Sequence, residues 1–580
     1  MHTNRSNTSQ QIQTLATCLA VLLAASCADS SRGTLDVAPP NETPAEERVI
    51  EESDLYKLVG DWLYVQNPTS GLNIISVANP DDPFVQEQLP DVRGEAGELY
   101  VRDDRVYVLF RGTVGRCTLP PEMEATWAEA PERSEVVIAT GAPLDAKVAG
   151  RYCLPGDLVA SRIVGDILYM VTTSENYTSY PYTSKTWLIS LNVSDPQELG
   201  MVDFRFLTGD SREIHVTQDA IFLTQAMGGN TLVQYIDISD PEGVMIERGD
   251  LMVSGDPAGR FHMDAFEDTF RIVTFSGVWS GGTNLHVIDI SDPDYLWLMS
   301  SYTGLAPGEE LWATRFVEEK AYIVTYLRDD PMPRDPLWVI DLSDPYTPLL
   351  LGELEIPGWS NFLYPRGDQI VAVGRGDRGA RVAVSLFDVS DPTSPAELRR
   401  LEFGSEDATS EANLDFRGVR IIEDETFGHI PLITVPYTNN DWNGSTCTPE
   451  HHLQLIDLED RNLKMRGEWT PSESQQGLIR RTVPIGGNVY IVSDRVVAAI
   501  DVSNRDNPWP RVSLTVAGAG FEDVCTSNDF TIPPDMDDNV FSFFPLGCNM
   551  SGPVPIQNSP LPWLLGALLL LFVLRLRRAR

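Results

Sequence analysis

A strand, a Ser-Asp-Pro turn and a second strand recur along this chain, and that recurrence restricts its folds more than any other feature. The clearest copy runs from Leu337 to Gly358, LWVIDLSDPYTPLLLGELEIPG. Leu337 to Leu342 is apolar and β-branched, which suits a strand buried between packed sheets. Ser343 and Asp344 offer oxygens to nearby backbone amides, and Pro345 fixes φ and cannot donate to a ladder, so the strand stops there. Leu349 to Ile356 is the second strand. The turn returns at Asn192 to Pro196, Asp237 to Pro241, Asp289 to Pro293 and Asp388 to Pro392. Weaker copies stand at Ser76 to Pro80, Asp457 to Asp460 and Asp501 to Asn504. The five prolines of the strong copies are spaced 45 to 52 residues apart. A period of ~40–50 with several strands per unit marks a β-propeller. A hairpin device accounts for the repeated acid more simply than a metal site does.

Upstream of each turn lies a strand, a polar hairpin and a strand, as in Leu99 to Phe110 and Thr314 to Val324. Each unit therefore holds four strands, a to d, and nine units fit between Asp54 and Gly518. The expected fold is all-β: a single large propeller of eight or nine four-stranded blades, since end units often share a blade. A short transmembrane-like segment follows it. The 580 residues alone would suggest about three or four domains, but the repeat overrides that prior.

Several stretches beyond the turns resemble a known family, the secreted β-propeller domain family, distantly related to WD40 proteins and found in archaea and bacteria. They are Glu52 to Asp61, Phe261 to Asp264, Leu305 to Glu309, Leu337 to Gly358 and Ser385 to Pro392, in the family's order. The resemblance spans about Glu46 to Val516. It implies the fold and an exported location. It supplies no catalytic residue.

The two ends read as targeting segments. Residues 1–27 look like an export signal, with Arg5 ahead of an apolar core from Leu15 to Ala25. Leu23 to Cys27 resembles a lipobox, with Ala24 where Leu is usual, and Cys27 would then carry the lipid. Cleavage after Ala28 is the alternative. Residues 28–52 are polar and Pro-rich, without periodicity, and read as a tether. The propeller takes 53–518, a Cys-containing extension and Pro-rich spacer 519–560, and an apolar segment with an Arg-rich end 561–580. The apolar run is short for a full span, which needs ~20 residues. Gly547-Cys548, a spacer, the apolar run and the Arg cluster resemble a MYXO-CTERM sorting tail. That resemblance implies cutting near Cys548 by a sortase-like protease and display on the surface. A plain C-terminal membrane anchor is the alternative. Both readings place the propeller in the bacterial envelope or on its surface, held by an N-terminal lipid, the C-terminal segment or both.

Export permits disulfides. Cys117 and Cys153 fall in one unit and are expected to pair. Cys447 and Cys525 pair if Cys548 is the sorting residue; otherwise Cys525 to Cys548 competes. Acidic residues outnumber basic ones 84 to 43, a net charge of −41. That field repels phosphate backbones and argues against nucleic acid.

The long connections are Arg111 to Ser134, Thr172 to Thr186, Ser276 to Asn284, Arg328 to Pro336 and Tyr437 to His452. All five join strand b to strand c, so they crowd one face. Loops on a rigid scaffold concentrate binding residues. Tyr177, Tyr180, Tyr182, Trp279, Tyr437 and Trp442 lie there and are candidate anchors for a protein or a glycan. Aromatics folded onto the blade tops are the plainer explanation.

The search for chemistry is mostly negative. No nucleophile elbow, zinc-protease helix motif or phosphate loop occurs. His215, His262 and His286 read as satisfied core or rim residues, and His451-His452 near Cys447 and Glu450 fits no ligand spacing. Asp535, Asp537 and Asn539 resemble the start of a calcium loop, but Val540 stands where its glycine belongs. No cofactor is expected, with calcium as the exception. The sequence therefore favours a non-enzymatic interaction platform. The alternatives are an exported hydrolase or lyase acting on polysaccharide through channel carboxylates, and a structural envelope component.

Overall fold

The repeated turn is built by its first acid. In a computed structural model of the chain, the carboxylate of Asp237 accepts the amide of Ser239 at 2.9 Å and its hydroxyl at 2.6 Å. Asp289 with Ser291 and Asp388 with Ser390 do the same. The residue between them turns inward. Ile238, Leu342 and Val389 are buried and Ile290 partly so, and each donates its amide to a carbonyl of the a–b hairpin, at 2.8, 2.8, 2.9 and 2.9 Å in that order. One motif thus ends strand c and ties the c–d turn to the a–b turn of the same blade. The proline carbonyl then reaches the preceding blade. Pro293 accepts the amide of Gly249 at 2.7 Å, and Pro345 accepts the hydroxyl of Ser300 at 2.6 Å.

The structure describes residues 48–518 and Phe521, apart from 95–96, 113–116, 118–132, 177–182, 195–199, 258, 278–281, 328–333, 377–378 and 444–445. Nine antiparallel four-stranded blades follow one another at 56–89, 98–155, 157–208, 210–254, 263–305, 310–357, 359–403, 420–469 and 479–515. The strand order within each is a-b-c-d. Every blade is one contiguous piece of chain, so the count is nine and the ends share none. Apolar clusters lie between adjacent blades, including one between the ninth and the first. There Leu63, Val65, Ile75 and Val77 pack against Val483, Tyr490, Val492 and Val497. Asn67 Nδ2 donates to the carbonyl of Asp494 at 2.9 Å, and Tyr490 donates its hydroxyl to the carbonyl of Pro80 at 2.7 Å. Side-chain packing and a few hydrogen bonds therefore close the ring without a mixed blade.

The described chain starts before the expected boundary of the propeller. Residues 48–52, part of the stretch read as a tether, are ordered against the inner strands. Ile50–Glu51 forms a short strand, here β1, paired antiparallel with the inner edge of strand a of blade 3 (Asp157–Val164), in register Ile50↔Val164 and Glu51↔Ile163. Two paired residues have no period to detect, which is why the sequence pattern missed them. Among the described residues, no helix is long and apolar enough to cross a membrane. The apolar segment 561–580, Cys27, Cys525 and Cys548 lie outside them.

Candidate functional site

Residues 48–54 run along the inner strands of the ring. At the a–b and c–d face Arg48 donates to the carbonyls of Gln218 and, at 2.9 Å, of Ile238, and it pairs with Asp219 at 3.2 Å. The chain then climbs along blade 3. Glu52 pairs with Arg162 at 2.8 Å and with Arg260. Ser53 donates to Glu98 at 2.7 Å. Arg417 donates to the carbonyl of Ser53 at 2.7 Å and pairs with Glu98 at 3.0 Å. Asp54 meets Arg481 at 3.0 Å, and the chain turns over into blade 1. Residues 48–54 thus form a strap touching the inner parts of blades 2, 3, 4 and 9 and both connectors that carry Arg260 and Arg417.

Beside the strap sit three phenyl rings, Phe261, Phe362 and Phe416. Phe261 and Phe416 meet edge to face at 4.9 Å, and Phe362 lies 6.3 and 6.2 Å from them. Arg260 stacks over Phe261 and Phe416 at 5.2 Å, and Arg315 over Phe261 at 4.5 Å. Such stacking suits guanidinium groups that are largely out of water.

The carboxylates here are mostly committed. Asp415, despite burial, is held well below the usual range by Arg481 and Arg417. Glu52 is likewise lowered, Arg162 and Arg260 outweighing burial. Asp54 goes the other way, because burial outweighs Arg481 and Arg417. Glu213 on strand a of blade 4 (Asp210–Val216) is pushed up to about 7 by burial, with Arg260, Arg162 and Arg111 only partly offsetting it. His262 is buried and pushed down to about 3, and among the described residues its Nδ1 has no hydrogen-bond partner, unlike the satisfied core or rim histidine expected. His286 is satisfied, through Ser301 at 2.8 Å and the carbonyl of Ser254 at 3.1 Å.

All five long connections do join strand b to strand c, but two are largely ladder. In blade 3, Ile167–Asn176 pairs with Thr183–Asn192 out to Asn176↔Thr183. In blade 8, Leu432–Asn443 pairs with Thr446–Glu459 out to Asn443↔Thr446. Tyr437 is therefore no exposed anchor. It pairs with His452, stacks on that imidazole at 4.7 Å, and donates its hydroxyl to Glu468 at 2.6 Å. It was misread because the hairpin keeps its register where a loop was assumed. Trp442 lies near the tip, opposite Cys447 in register. Tyr177, Tyr180, Tyr182 and Trp279 fall outside the described residues, as do Asp535, Asp537 and Asn539. Neighbouring strand residues face opposite sides, so His451 and His452 cannot share an ion. His451 meets Thr438 at 2.8 Å and His452 meets Thr470 at 2.8 Å. Among the described residues no three His, Cys, Asp or Glu side chains form a metal cage.

Cys117 of the blade 2 connection is disulfide-bonded to Cys153 on strand d of the same blade, Lys147–Pro155. Cys447 is also in a disulfide.

Against known proteins, the beta propeller domain family matches residues 41–186 and 177–505. The chain belongs to that family. Two relatives are uncharacterised proteins of Methanocaldococcus jannaschii, 40% identical over 151 residues, and of Archaeoglobus fulgidus, 35% identical over 148. Those matches cover 25% and 26% of this chain, and the chain spans only 23% and 22% of the relatives' lengths. Among solved structures, Hsv2 of Kluyveromyces lactis is similar at 11% identity and a TM-score of 0.34, over 60% of this chain and 98% of that one. The β-propeller domain of the Trilobed protease from Pyrococcus furiosus is similar at 10% identity and a TM-score of 0.29, over 62% and 94%. For this member of the family, the stretches that carried the resemblance include the strap residues Glu52 and Asp54 and Phe261 of the phenyl cluster.

Proposed function

We propose that this chain is an exported, envelope-held and non-catalytic β-propeller that uses its b–c face to bind a protein or a glycan. One observation carries the reading: two blades, 3 and 8, send paired b–c hairpins outward on one face, while the protein's own strap runs along the inner strands of the ring. A hairpin that keeps its ladder presents its tip on a rigid stem, which limits the ordering cost of binding. The Cys117–Cys153 bond suits an oxidising compartment. The apolar segments at both ends, with Cys27 and Cys548, suit export and anchoring.

The polysaccharide-enzyme alternative needs two carboxylates free to exchange protons or attack. Glu52, Asp54, Glu98 and Asp415 are each paired with arginine. Glu213 stands apart from these pairs, and one carboxyl does not make the constellation.

The test trims the hairpins. Residues 439–450 are replaced by Asn-Gly, keeping the Thr438↔His451 pair as the closing one. Residues 174–185 are replaced likewise below Thr173↔Thr186. The full-length protein and both variants are then measured for binding to isolated envelope fractions and to immobilised glycans. Loss of binding by variants that still melt cooperatively is expected; the blade 8 trim also removes Cys447 and its disulfide, so that variant melts at a lower temperature. Undiminished binding by the doubly trimmed, folded protein would contradict the proposal.

A further inference from the structure

The opposite face carries a feature of its own in blade 5. In blades 6 and 7 the second acid of the turn also accepts a threonine hydroxyl, whereas in blade 4 Asp240, like Asp292 of blade 5, accepts only an amide among the described residues, that of Glu242 at 2.8 Å. Thr347 donates its hydroxyl to Asp344 at 2.6 Å, and Thr393 donates to Asp391 at 2.7 Å. Blade 5 has Tyr295 in the place of Thr347. Asp292 accepts only the amide of Asp294, at 3.1 Å on Oδ1, and its other oxygen has no hydrogen-bond partner among the described residues. Tyr295 is 70% exposed. Trp297 opens strand d, Trp297–Leu305, in register with Asp289, and is 36% exposed. Tyr346 from the turn of blade 6 is 56% exposed and lies 6.1 Å from Trp297 at 39°. Asp289, Ser291, Asp292, Tyr295 and Trp297 together line a shallow cleft of about 360 Å³.

We propose that this cleft, at the c–d turns where blade 5 meets blade 6, is a binding site for a neutral saccharide. A sugar ring offers a flat face of polarised C–H groups and a rim of hydroxyls. Exposed aromatic faces take up the first, and a few convergent polar groups fix the second. The open oxygen of Asp292 accepts a sugar hydroxyl, and the Ser291 hydroxyl lies beside it. Ser291 already donates to Asp289 at 2.6 Å, which holds that carboxylate in place. Asp289 and Asp292 disfavour phosphate, sulfate and acidic sugars, while neighbouring Asp294 is paired with Arg248 at 3.2 Å. A quaternary ammonium would want rings closing around it. Trp297 and Tyr346 instead form an open wedge, which suits a flat sugar face.

This site is independent of the b–c face. The test uses affinity electrophoresis of the full-length protein in native gels containing hydroxyethyl cellulose, galactomannan, β-1,3-glucan or mannan. At least one polymer is expected to retard the protein. Tyr295→Ala and Trp297→Ala should each weaken binding about tenfold, the range of an interface anchor. Asp292→Asn should weaken it less; the melting temperature should stay unchanged in Tyr295→Ala and Asp292→Asn, whose side chains are exposed, and fall slightly in Trp297→Ala, whose ring is largely covered and bonds Asp289. The hairpin-trimmed variant should still be retarded, which separates this site from the b–c face. No retardation by any of the four polymers would overturn the proposal. So would retardation that survives both aromatic substitutions, or capture by choline-agarose with none by the polymers.

Discussion

The guanidinium of Arg481 meets the carboxylate of Asp54 at 3.0 Å, across 427 residues of chain. It joins strand a of the last blade to the strap that precedes the first. The same guanidinium also engages Asp415, and Arg481 is only 4% exposed. Breaking one partner of a buried pair leaves a charge uncompensated and costs about 3–5 kcal/mol. Arg481→Ala should therefore lower the urea midpoint substantially. Arg481→Lys should restore little, because one ammonium cannot hold two carboxylates in a planar fork. A lysine variant as stable as the parent would show that the planar fork is not needed, and an alanine variant as stable would show that the pair does not help to close the ring.

Low pH should loosen the turns. Ser390 holds Asp388 at about 2 through its hydroxyl and amide, helped by Arg461, and Asp289 is lowered mainly by the Ser291 hydroxyl. A carboxyl depressed in the folded state stabilises above its unfolded value and loses that contribution on protonation. Stability from these turns should fall as pH drops from about 4 towards 2. Asp388→Ala, followed by thermal melts across that window, should flatten part of the decline.

Glu213 predicts the opposite slope. Its pKa is raised to about 7, so the folded state holds a proton that the unfolded state has released. Stability is therefore lost as pH rises from about 4 to 7 and stays low above that. Burial this deep sets an upper limit of about 3 kcal/mol on the loss. Glu213→Gln should raise the melting temperature at pH 8 and leave it unchanged at pH 4. An equal effect at both values would assign the gain to packing instead.

Gly352 tests the docking between blades. A Cβ placed there would lie 2.4 Å from the carbonyl oxygen of Pro392 in the next blade's turn. Backbone cannot yield as a side-chain tip can, and overpacking of this kind typically costs about 1–3 kcal/mol. Gly352→Ala should therefore lower stability by that amount in denaturant melts. A neutral result would mean that the turn is not seated as tightly on blade 6 as this contact implies.

The blades were legible in the sequence because their signals are periodic. The Asp-x-Ser-Asp-Pro turns punctuate the chain, and apolar runs such as Trp338 to Ile340 mark strand c. The channel was not legible. Arg162, Arg260, Arg315, Arg417 and Arg481 are scattered through separate units, and an overall charge of −41 hides so local a cluster. The only hint was that Glu52 to Asp54 and Phe261 to Asp264 stood apart from the repeat. Tyr437 shows the converse error. An insertion between strands b and c is a loop only if its residues stop pairing, and Thr438↔His451 and Asn439↔Glu450 continue the ladder.

The most direct measurement is amide hydrogen exchange on the full-length protein, read at Ile50 to Asp54. This segment is part of the ring, hydrogen-bonded to blade 3 and pinned by Arg417 and Arg481. Protection there should be comparable to strand a of blade 3 and be released together with blades 1 and 9 as denaturant is added. Exchange at the rate of an unstructured peptide would mean an open channel and a ring closed by side-chain packing alone. The channel would then compete with the b–c face as the place where ligands bind.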